Sequence, residues 1–211
     1  MNKYITEFIG TFFLVTVVGL TAVTGLVPPG FAPIAIGSVL MVMIYAGGHI
    51  SGGHYNPAVT LAVLIRGKIT MADAVPYWIS QVVAAVAAWA VVSLIFGGGA
   101  ATPSAGVESI HKALFAEILG TFALAYVVLN VATAKGTAGN SNYGLAIGFT
   151  VLCCAYAFGS FSGGAFNPAV AIGVTLMKGM AWADIWIYLV GCLGGGLLAG
   201  LIFNMNNPDD K

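Results

Sequence analysis

The stretch Ser51-Gly-Gly-His-Tyr-Asn-Pro-Ala-Val59 decides the fold, and it returns 111 residues later as Ser162-Gly-Gly-Ala-Phe-Asn-Pro-Ala-Val170. In each copy an Asn follows the glycines as a helix N-cap, and a Pro takes the first helical position, where its missing N–H costs nothing. The apolar runs that follow, 58–65 and 169–177, give helices of only about 12–15 Å. That length is roughly half of a bilayer core. The sequence therefore predicts two short helices that meet cap to cap near the middle of a membrane.

The composition is that of a membrane protein. Of 211 residues, 59% are hydrophobic and only 7% are charged, and the mean hydropathy is +0.97. An ordinary soluble domain carries about 25% charged residues. The first apolar run is too long for a cleaved signal core and lacks a strongly basic lead, so we expect a permanent helix. The net charge is zero and no basic run occurs, so no nucleic-acid partner is indicated.

Apolar runs of spanning length recur along the chain. They predict an all-α membrane protein in one transmembrane domain, residues 1–211, with full crossings and two re-entrant half-helices. The crossings lie near 4–26, 32–50, 75–97, 112–132, 143–160 and 183–204, and the half-helices near 56–66 and 167–178. Gly- and Pro-rich connections are expected at 28–30, 97–104 and 135–140.

An internal repeat extends beyond the opening stretch. Glu7-Phe-Ile-Gly-Thr-Phe12 returns as Glu117-Ile-Leu-Gly-Thr-Phe122. The two halves, about 1–105 and 106–211, each carry three crossings and one half-helix. Because three is odd, the second half enters the bilayer from the opposite side, so the repeat is inverted in topology.

Basic residues in the short loops predict the orientation. With the N-terminus in the cytoplasm, five basic residues are cytoplasmic and two are outside. The five are Lys3, Arg66, Lys68, Lys135 and Lys211, and the two are Lys112 and Lys178. Both termini are therefore expected in the cytoplasm.

The doubled motif suggests a pore for uncharged solutes. Non-helical backbone is tolerated at membrane depth only where protein buries it or water bathes it. We therefore expect exposed pore-lining backbone at Gly52, Gly53, His54, Tyr55, Gly163 and Ala165. The waist is formed by Asn56, Pro57, Ala58, Asn167, Pro168 and Ala169. Two asparagine amides offer donors there, and the helix N-termini add positive partial charge that repels cations. The plainer alternative is that both asparagines are N-caps only.

Other notable residues have structural explanations. Cys153, Cys154 and Cys192 lie in apolar runs without metal-ligand spacing, so they are expected in the core and no metal is indicated. Gly191 with Gly195, and Gly196 with Gly200, are expected at close helix contacts. For His49 and His54, which flank the first motif, support of the loop is favoured over gating.

With the doubled Asn-Pro-Ala, the preceding Ser-Gly-Gly and the repeated Glu-x-x-Gly-Thr-Phe, the chain resembles an aquaporin of the major intrinsic protein family over essentially its whole length. The resemblance implies six tilted helices, two half-helices, one pore per subunit and a homotetramer in the cell (plasma or inner) membrane. It also implies passive transport with no cofactor and no catalytic residue, hence no enzyme. Glu7 and Glu117 would hold the unwound loops by accepting hydrogen bonds from their backbone, and a direct role in proton transfer is the rival.

The same resemblance places the selectivity filter at Ile36, Ala155, Gly164 and Val170. Many family members have Arg where this chain has Val170. The set is small and apolar, so the pore is expected to be wider than a water-selective or a glycerol-selective filter. Plant vacuolar members also tolerate Val there and pass water with small neutral solutes such as urea or ammonia. Ala171 stands where glycerol channels have Asp.

Four functions compete at this point. The first is a passive channel for water and other small neutral solutes. The second is a channel whose main cargo is glycerol, urea, ammonia, hydrogen peroxide or a neutral metalloid acid. The third is an ion-coupled carrier, since carriers also use broken helices and inverted repeats. A carrier would place ionisable coupling residues near its site, whereas Glu7 and Glu117 are the only carboxylates that we expect inside helices. A purely structural membrane protein is the fourth.

Overall fold

The computed structural model describes residues 1–28, 30–97 and 104–210. Within these ranges the chain forms eight α-helices: α1 Asn2–Val18, α2 Ala32–Ser51, α3 Pro57–Ile65, α4 Met71–Leu94, α5 Ile110–Ala132, α6 Tyr143–Ser162, α7 Pro168–Leu176 and α8 Ile185–Asn206. The expected connections at 28–30 and 97–104, and the orientation assigned to Lys211, lie partly or wholly outside the described residues.

Six helical segments are long and apolar enough to cross a membrane, which confirms the predicted polytopic architecture. The first crossing continues from α1 through a π-helical turn, Gly19–Val23. The predicted start of the third crossing, at residue 75, was wrong, because α4 begins at Met71. Thr70 is extended ahead of the helix, and Asp73 lies in its first turn, where a negative charge is favourable.

The two half-helices have the predicted length. α3 and α7 contain nine residues each, about 13–14 Å at 1.5 Å per residue. Each begins at the proline of its motif. Neither is long enough to cross a bilayer core alone.

Glycines on α8 let three helices approach closely, as predicted. A Cβ on Gly195 would lie 2.5 Å from the carbonyl oxygen of Ile118 in α5. A Cβ on Gly200 would lie 2.7 Å from the Cβ of Ile65 in α3. Because real Cβ atoms do not approach other atoms so closely, any larger residue at these positions would push α3 or α5 away. The half-helix α3 is therefore packed against the glycine face of α8.

The polarity of the helices is reversed relative to a soluble bundle. On α1 the large apolar side chains Ile5, Ile9 and Phe13 are exposed, whereas Glu7 and Thr11 are completely buried. Exposed apolar faces at helical spacing suit lipid or a neighbouring subunit. The polar groups are thereby directed to the interior, where the half-helices lie.

Candidate functional site

Two unwound segments lead to the half-helices: the first loop, residues 52–55, and the second loop, residues 163–166. The first loop starts at Gly52 with φ 89°, and the second at Gly163 with φ 92°. The next glycines, Gly53 and Gly164, also have positive φ, 65° and 66°. Glycine adopts this left-handed region without steric cost. The Gly-Gly pair of each motif therefore ends one spanning helix and turns the chain inward.

The last residue of each loop is bulky and strained. Tyr55 and Phe166 both have φ 48°, a region that large side chains rarely adopt. Their rings pack against Gly10 of α1 and Gly120 of α5, where any Cβ would overlap the ring. Such strain persists only where the surroundings fix the backbone. Each loop therefore has to be held by strong hydrogen bonds.

Glu7 fixes the first loop. Its Oε1 accepts hydrogen bonds from the backbone N–H of His54 at 2.9 Å and from Ser51 Oγ at 2.7 Å. Its Oε2 accepts from the backbone N–H of Tyr55 at 2.7 Å and from Gln81 Nε2 at 2.8 Å. Four donors converge on one buried carboxylate, which as an acceptor-only group can receive them all.

Glu117 has the same arrangement at the second loop. It accepts from the backbone N–H groups of Ala165 and Phe166, at 3.0 and 2.7 Å, and from Ser162 Oγ at 2.6 Å. The fourth donor is the Cys192 thiol, with Sγ at 3.3 Å from Oε2. Neither carboxylate belongs to the cavity lining described below, so the structure gives both a position behind the loops.

Gln81 and Cys192 were missed as loop contacts by the sequence analysis, which assigned Cys192 to the core alone. Cys154 and Cys192 are indeed buried, whereas Cys153 is exposed on α6, so its expected place in the core was wrong. Gln81 and Cys192 are 111 positions apart, which is the offset of the doubled motif. That offset is the signal that could have paired them, but their different side chains conceal the match.

Each motif asparagine caps its own half-helix. Asn56 Oδ1 accepts from the backbone N–H of Ala58 at 2.8 Å, and Asn167 Oδ1 accepts from those of Ala169 and Val170 at 2.9 and 3.4 Å. This is the N-cap geometry that the Asn-Pro sequence predicts.

The asparagine amides also bind the two loops to each other. Asn56 Nδ2 donates to the carbonyl oxygen of Phe166, and Asn167 Nδ2 donates to that of Tyr55, both at 2.9 Å. Neither interpretation of the sequence, amide donors for a permeant or N-caps only, included these bonds between the loops. A side-chain amide has two N–H groups, so one N–H of each asparagine joins the loops and the other remains for the cavity that both residues line.

A cavity of about 530 Å³ runs between the helices past both asparagines. The four expected filter residues, Ile36, Ala155, Gly164 and Val170, all line it. Most of its remaining wall is apolar, with Leu14, Val18, Leu40, Val59, Leu124, Val128, Ile147, Val151 and Val174 among the lining residues. None of the described lining residues is Lys, Arg, Asp or Glu.

The expected pore-lining backbone is only partly at this cavity. Gly53, His54, Gly163 and Ala165 line it, together with Gly164. The structure places Gly52 and Tyr55 away from it. Gly52 lines an adjoining cavity that shares His54 and Val128 with the first, and the Tyr55 ring turns back toward α2, where its hydroxyl donates to Met43 O.

Polar contacts along the cavity are mainly acceptors. Within the described residues, no donor is bonded to the carbonyl oxygens of residues 52–54 or 163–165. The preceding carbonyls are occupied, because Tyr77 and Tyr188 donate their hydroxyls to Ser51 O and Ser162 O. Within the two stretches 52–54 and 163–165, Gly53, His54 and Ala165 are buried. Buried carbonyls require partners, and a file of hydrogen-bonding solute could supply them.

Of the two histidines near the first motif, only His54 is at the site. His54 is buried, with 9% of its surface exposed, and its ring packs against that of Tyr77 with centroids 5.1 Å apart. His49 is exposed on α2 and is absent from the described cavity lining.

Six spanning helices around two capped half-helices, with an uncharged cavity between them, define a polytopic membrane protein of the channel type. The family model for major intrinsic proteins matches residues 1–203. The chain belongs to the major intrinsic protein family.

Relatives support this assignment. The chain is 39% identical over 218 residues to aquaporin TIP2-1 of Arabidopsis thaliana, with 96% of this chain and 86% of the relative covered. It is 36% identical to glycerol uptake facilitator protein-like 6 of Lactiplantibacillus plantarum, with both chains fully covered. The aquaglyceroporin of Plasmodium falciparum shares the fold, with a TM-score of 0.80 at 22% identity over 96% of this chain and 95% of the other.

Proposed function

We propose that this protein is a passive membrane channel for water and other small neutral solutes, with its path through the cavity between α3 and α7. The observation that supports it most is the uncharged cavity of about 530 Å³ that passes both motif asparagines. An apolar wall with a line of acceptors and two amide donors can replace part of a solute's hydration and leaves a charged solute without a counter-ion.

Cations are excluded at the waist in this proposal. Asn56 and Asn167 stand at the N-termini of two half-helices, and each N-terminus carries roughly half a positive charge. The cross-loop bonds hold these two ends together. Glu7 and Glu117 act behind the loops, holding their backbone in the conformation that exposes the carbonyl oxygens.

The filter in this proposal is Ile36, Ala155, Gly164 and Val170. All four residues line the cavity, and none of them has a charged or a long side chain. Among neutral solutes the filter therefore selects by size alone, and neutral solutes larger than water are accepted. Names among the relatives include an aquaporin and a glycerol uptake facilitator, which is consistent with a cargo of either kind.

A second candidate shares the site: a channel whose main cargo is a small uncharged solute such as glycerol, urea, ammonia, hydrogen peroxide or a neutral metalloid acid. The apolar filter favours it. An ion-coupled carrier is disfavoured, because the described cavity lining carries no ionisable coupling residue other than His54.

The proposal includes an arrangement in the cell membrane. The halves 1–105 and 106–211 are inverted repeats, both termini are cytoplasmic, and four subunits associate, each with its own pore. Equivalent bonds of Glu7 and Glu117 at matched positions support the repeat. Cysteines introduced at Lys135 and Ser104 test it: we expect labelling of the first only from the cytoplasm and of the second only from outside. Labelling of both from one side would refute the inverted repeat.

Stopped-flow light scattering on proteoliposomes tests the function. We expect faster volume changes than in protein-free liposomes under an osmotic gradient, and re-swelling with at least one of glycerol and urea. Water flux equal to that of protein-free liposomes, together with no solute flux, would overturn the proposal.

A further inference from the structure

A polar cluster beside the first loop has no counterpart beside the second. It consists of His54, Thr60 and Gln81. At the offset of 111 residues the matched positions hold Ala165, Ala171 and Cys192. Only the first loop therefore brings an aromatic ring with two nitrogen atoms to the cavity.

The ring of His54 is held from one side. Its Nδ1 lies 3.0 Å from Thr60 Oγ1, and the ring packs against Tyr77. The other nitrogen, Nε2, has no hydrogen-bond partner among the described residues and lies beside Gly52, where His54 lines both this cavity and the adjoining one. The state of Nε2 thus decides whether this point of the wall donates or accepts a hydrogen bond.

Thr60 Oγ1 has two further contacts that constrain its single proton. It receives a hydrogen bond from Gln81 Nε2 at 3.0 Å. It also lies 3.1 Å from the carbonyl oxygen of Asn56, to which it donates. A hydroxyl offers one donor and two acceptor positions, so the remaining acceptor position of Thr60 is free for His54.

The two forms of a neutral imidazole differ by one hydrogen bond in this cluster. With the proton on Nδ1, His54 donates to Thr60, Thr60 donates to Asn56 O, and Gln81 donates to Thr60. With the proton on Nε2, Thr60 has to choose between Nδ1 and Asn56 O, and one bond is lost. One net hydrogen bond shifts the tautomer ratio toward the first form roughly two- to tenfold relative to an imidazole without these contacts.

We propose that Thr60 holds His54 with its proton on Nδ1, so that an unprotonated Nε2 faces the pore as an acceptor. Thr60 is a positioning residue, and His54 determines specificity. Together with the carbonyl oxygens of Gly53 and His54, this stretch of wall then offers acceptors only. This consequence rests on the proposed channel function: solutes rich in N–H or O–H donors pass more readily than solutes of similar size that only accept.

The tautomer is tested by ¹⁵N NMR of the imidazole in proteoliposomes. The chain has three histidines, and His49 and His111 are both exposed, so the double variant His49→Gln/His111→Gln leaves His54 as the only signal. We expect a protonated Nδ1 and a bare Nε2. A protonated Nε2 in this background would overturn the proposal whether or not the protein transports anything, so this outcome is independent of the channel function.

The part assigned to Thr60 is tested by Thr60→Val, which keeps the shape and removes the hydroxyl. We expect the Nε2-protonated form to gain population. The matched control is Thr175→Val on α7: Thr175 is also buried and donates to a carbonyl four residues earlier, that of Ala171, but it contacts no histidine. The control should keep the parent spectrum, and Thr60→Ser should restore it. A parent-like spectrum in Thr60→Val would show that Thr60 does not position His54. If Thr60→Val does not fold, Thr60→Ser decides: loss of the parent tautomer in that variant would refute the role of Thr60.

Transport supplies the functional readout. Urea has four N–H donors, whereas dimethyl sulfoxide only accepts, so their flux ratio reports the polarity of the wall. After subtraction of the flux through protein-free liposomes, the ratio should fall roughly two- to tenfold in Thr60→Val and stay unchanged in Thr175→Val. An altered spectrum without a change in this ratio would contradict the specificity assigned to His54.

Discussion

Replacement of Glu7 by Gln tests whether the first loop depends on a carboxylate. Glu7 receives four donors, and Gln has only one acceptor oxygen. If its NH₂ replaces Oε1, it faces the backbone N–H of His54. If it replaces Oε2, it faces that of Tyr55. Ser51 and Gln81 can reorient to accept a hydrogen bond, but a backbone N–H cannot, so one loop N–H is orphaned in either orientation.

The magnitude follows from that orphaned group. A buried donor without a partner costs about 1–3 kcal/mol. For a chain of this size, 1 kcal/mol corresponds to about 2–4 °C in Tm, so Glu7→Gln should lower the apparent Tm in detergent by about 2–12 °C. Water flux per channel should fall as well, because Tyr55 keeps its strained φ only while the loop is held.

Two comparisons make the result specific. Glu117→Gln should cause a similar loss, since it orphans the N–H of Ala165 or Phe166. Glu108→Gln, at an exposed position, should leave both Tm and flux unchanged. An unaltered Tm in Glu7→Gln would show that the loop does not need a carboxylate and would refute this account of the strained backbone.

Three further predictions concern the waist, the filter and the C-terminal segment. The double change Asn56→Asp/Asn167→Asp should raise cation conductance in proteoliposomes, because two carboxylates offset the positive helix ends; an unchanged cation leak would contradict this arrangement. Val170→Arg should cut glycerol or urea flux more than water flux, and equal losses would remove Val170 as the size-determining position. The hydrogen bond from the Lys135 backbone, with Arg66 nearby, holds the pKa of Asp210 below its usual value, so the Asp210 carboxylate stabilises the fold at neutral pH. Asp210→Asn should therefore lower the Tm by the same amount from pH 8 to pH 5. The difference in Tm between parent and variant should vanish only as the pH falls below about 4.

The sequence was sufficient for those parts of the fold that are set by local chemistry. Asn-Pro gave the starts of α3 and α7 to the residue, since a cap and a first-turn proline act within a few positions. The start of α4 was misplaced, because the charged residue Asp73 interrupts the apolar run within the first turn of the helix. Thr70 and Asp73 carry that information, but a search for spanning hydrophobicity ignores them.

Contacts between distant segments were harder to predict. The bonds that join Asn56 to Phe166 and Asn167 to Tyr55 link residues 110 and 112 positions apart. An asparagine that caps a helix gives no sign that its free amide crosses to another loop. Burial of Gln81 beside Glu7 is likewise a tertiary fact, because a lone glutamine in an apolar run is compatible with several faces of the helix.

The two halves agree where the backbone is held, and in the part of each loop that lines the cavity they differ at one matched position, His54 in the first loop and Ala165 in the second. Equivalent bonds are made by Ser51 and Ser162, by Glu7 and Glu117, and by Tyr77 and Tyr188. Each loop needs an acceptor for its N–H groups, and the serine carbonyl before each loop needs a donor. Lining residues are free of that constraint. The second loop accordingly carries alanine where the first carries histidine, whereas the valines that follow the two motifs, Val59 and Val170, match. We therefore expect substitutions beside the second loop to change the size limit of the pore, and substitutions around His54 to change its hydrogen-bond preference at a constant size limit. A shift of both properties by one substitution at either end would show that the two halves do not divide selectivity in this way.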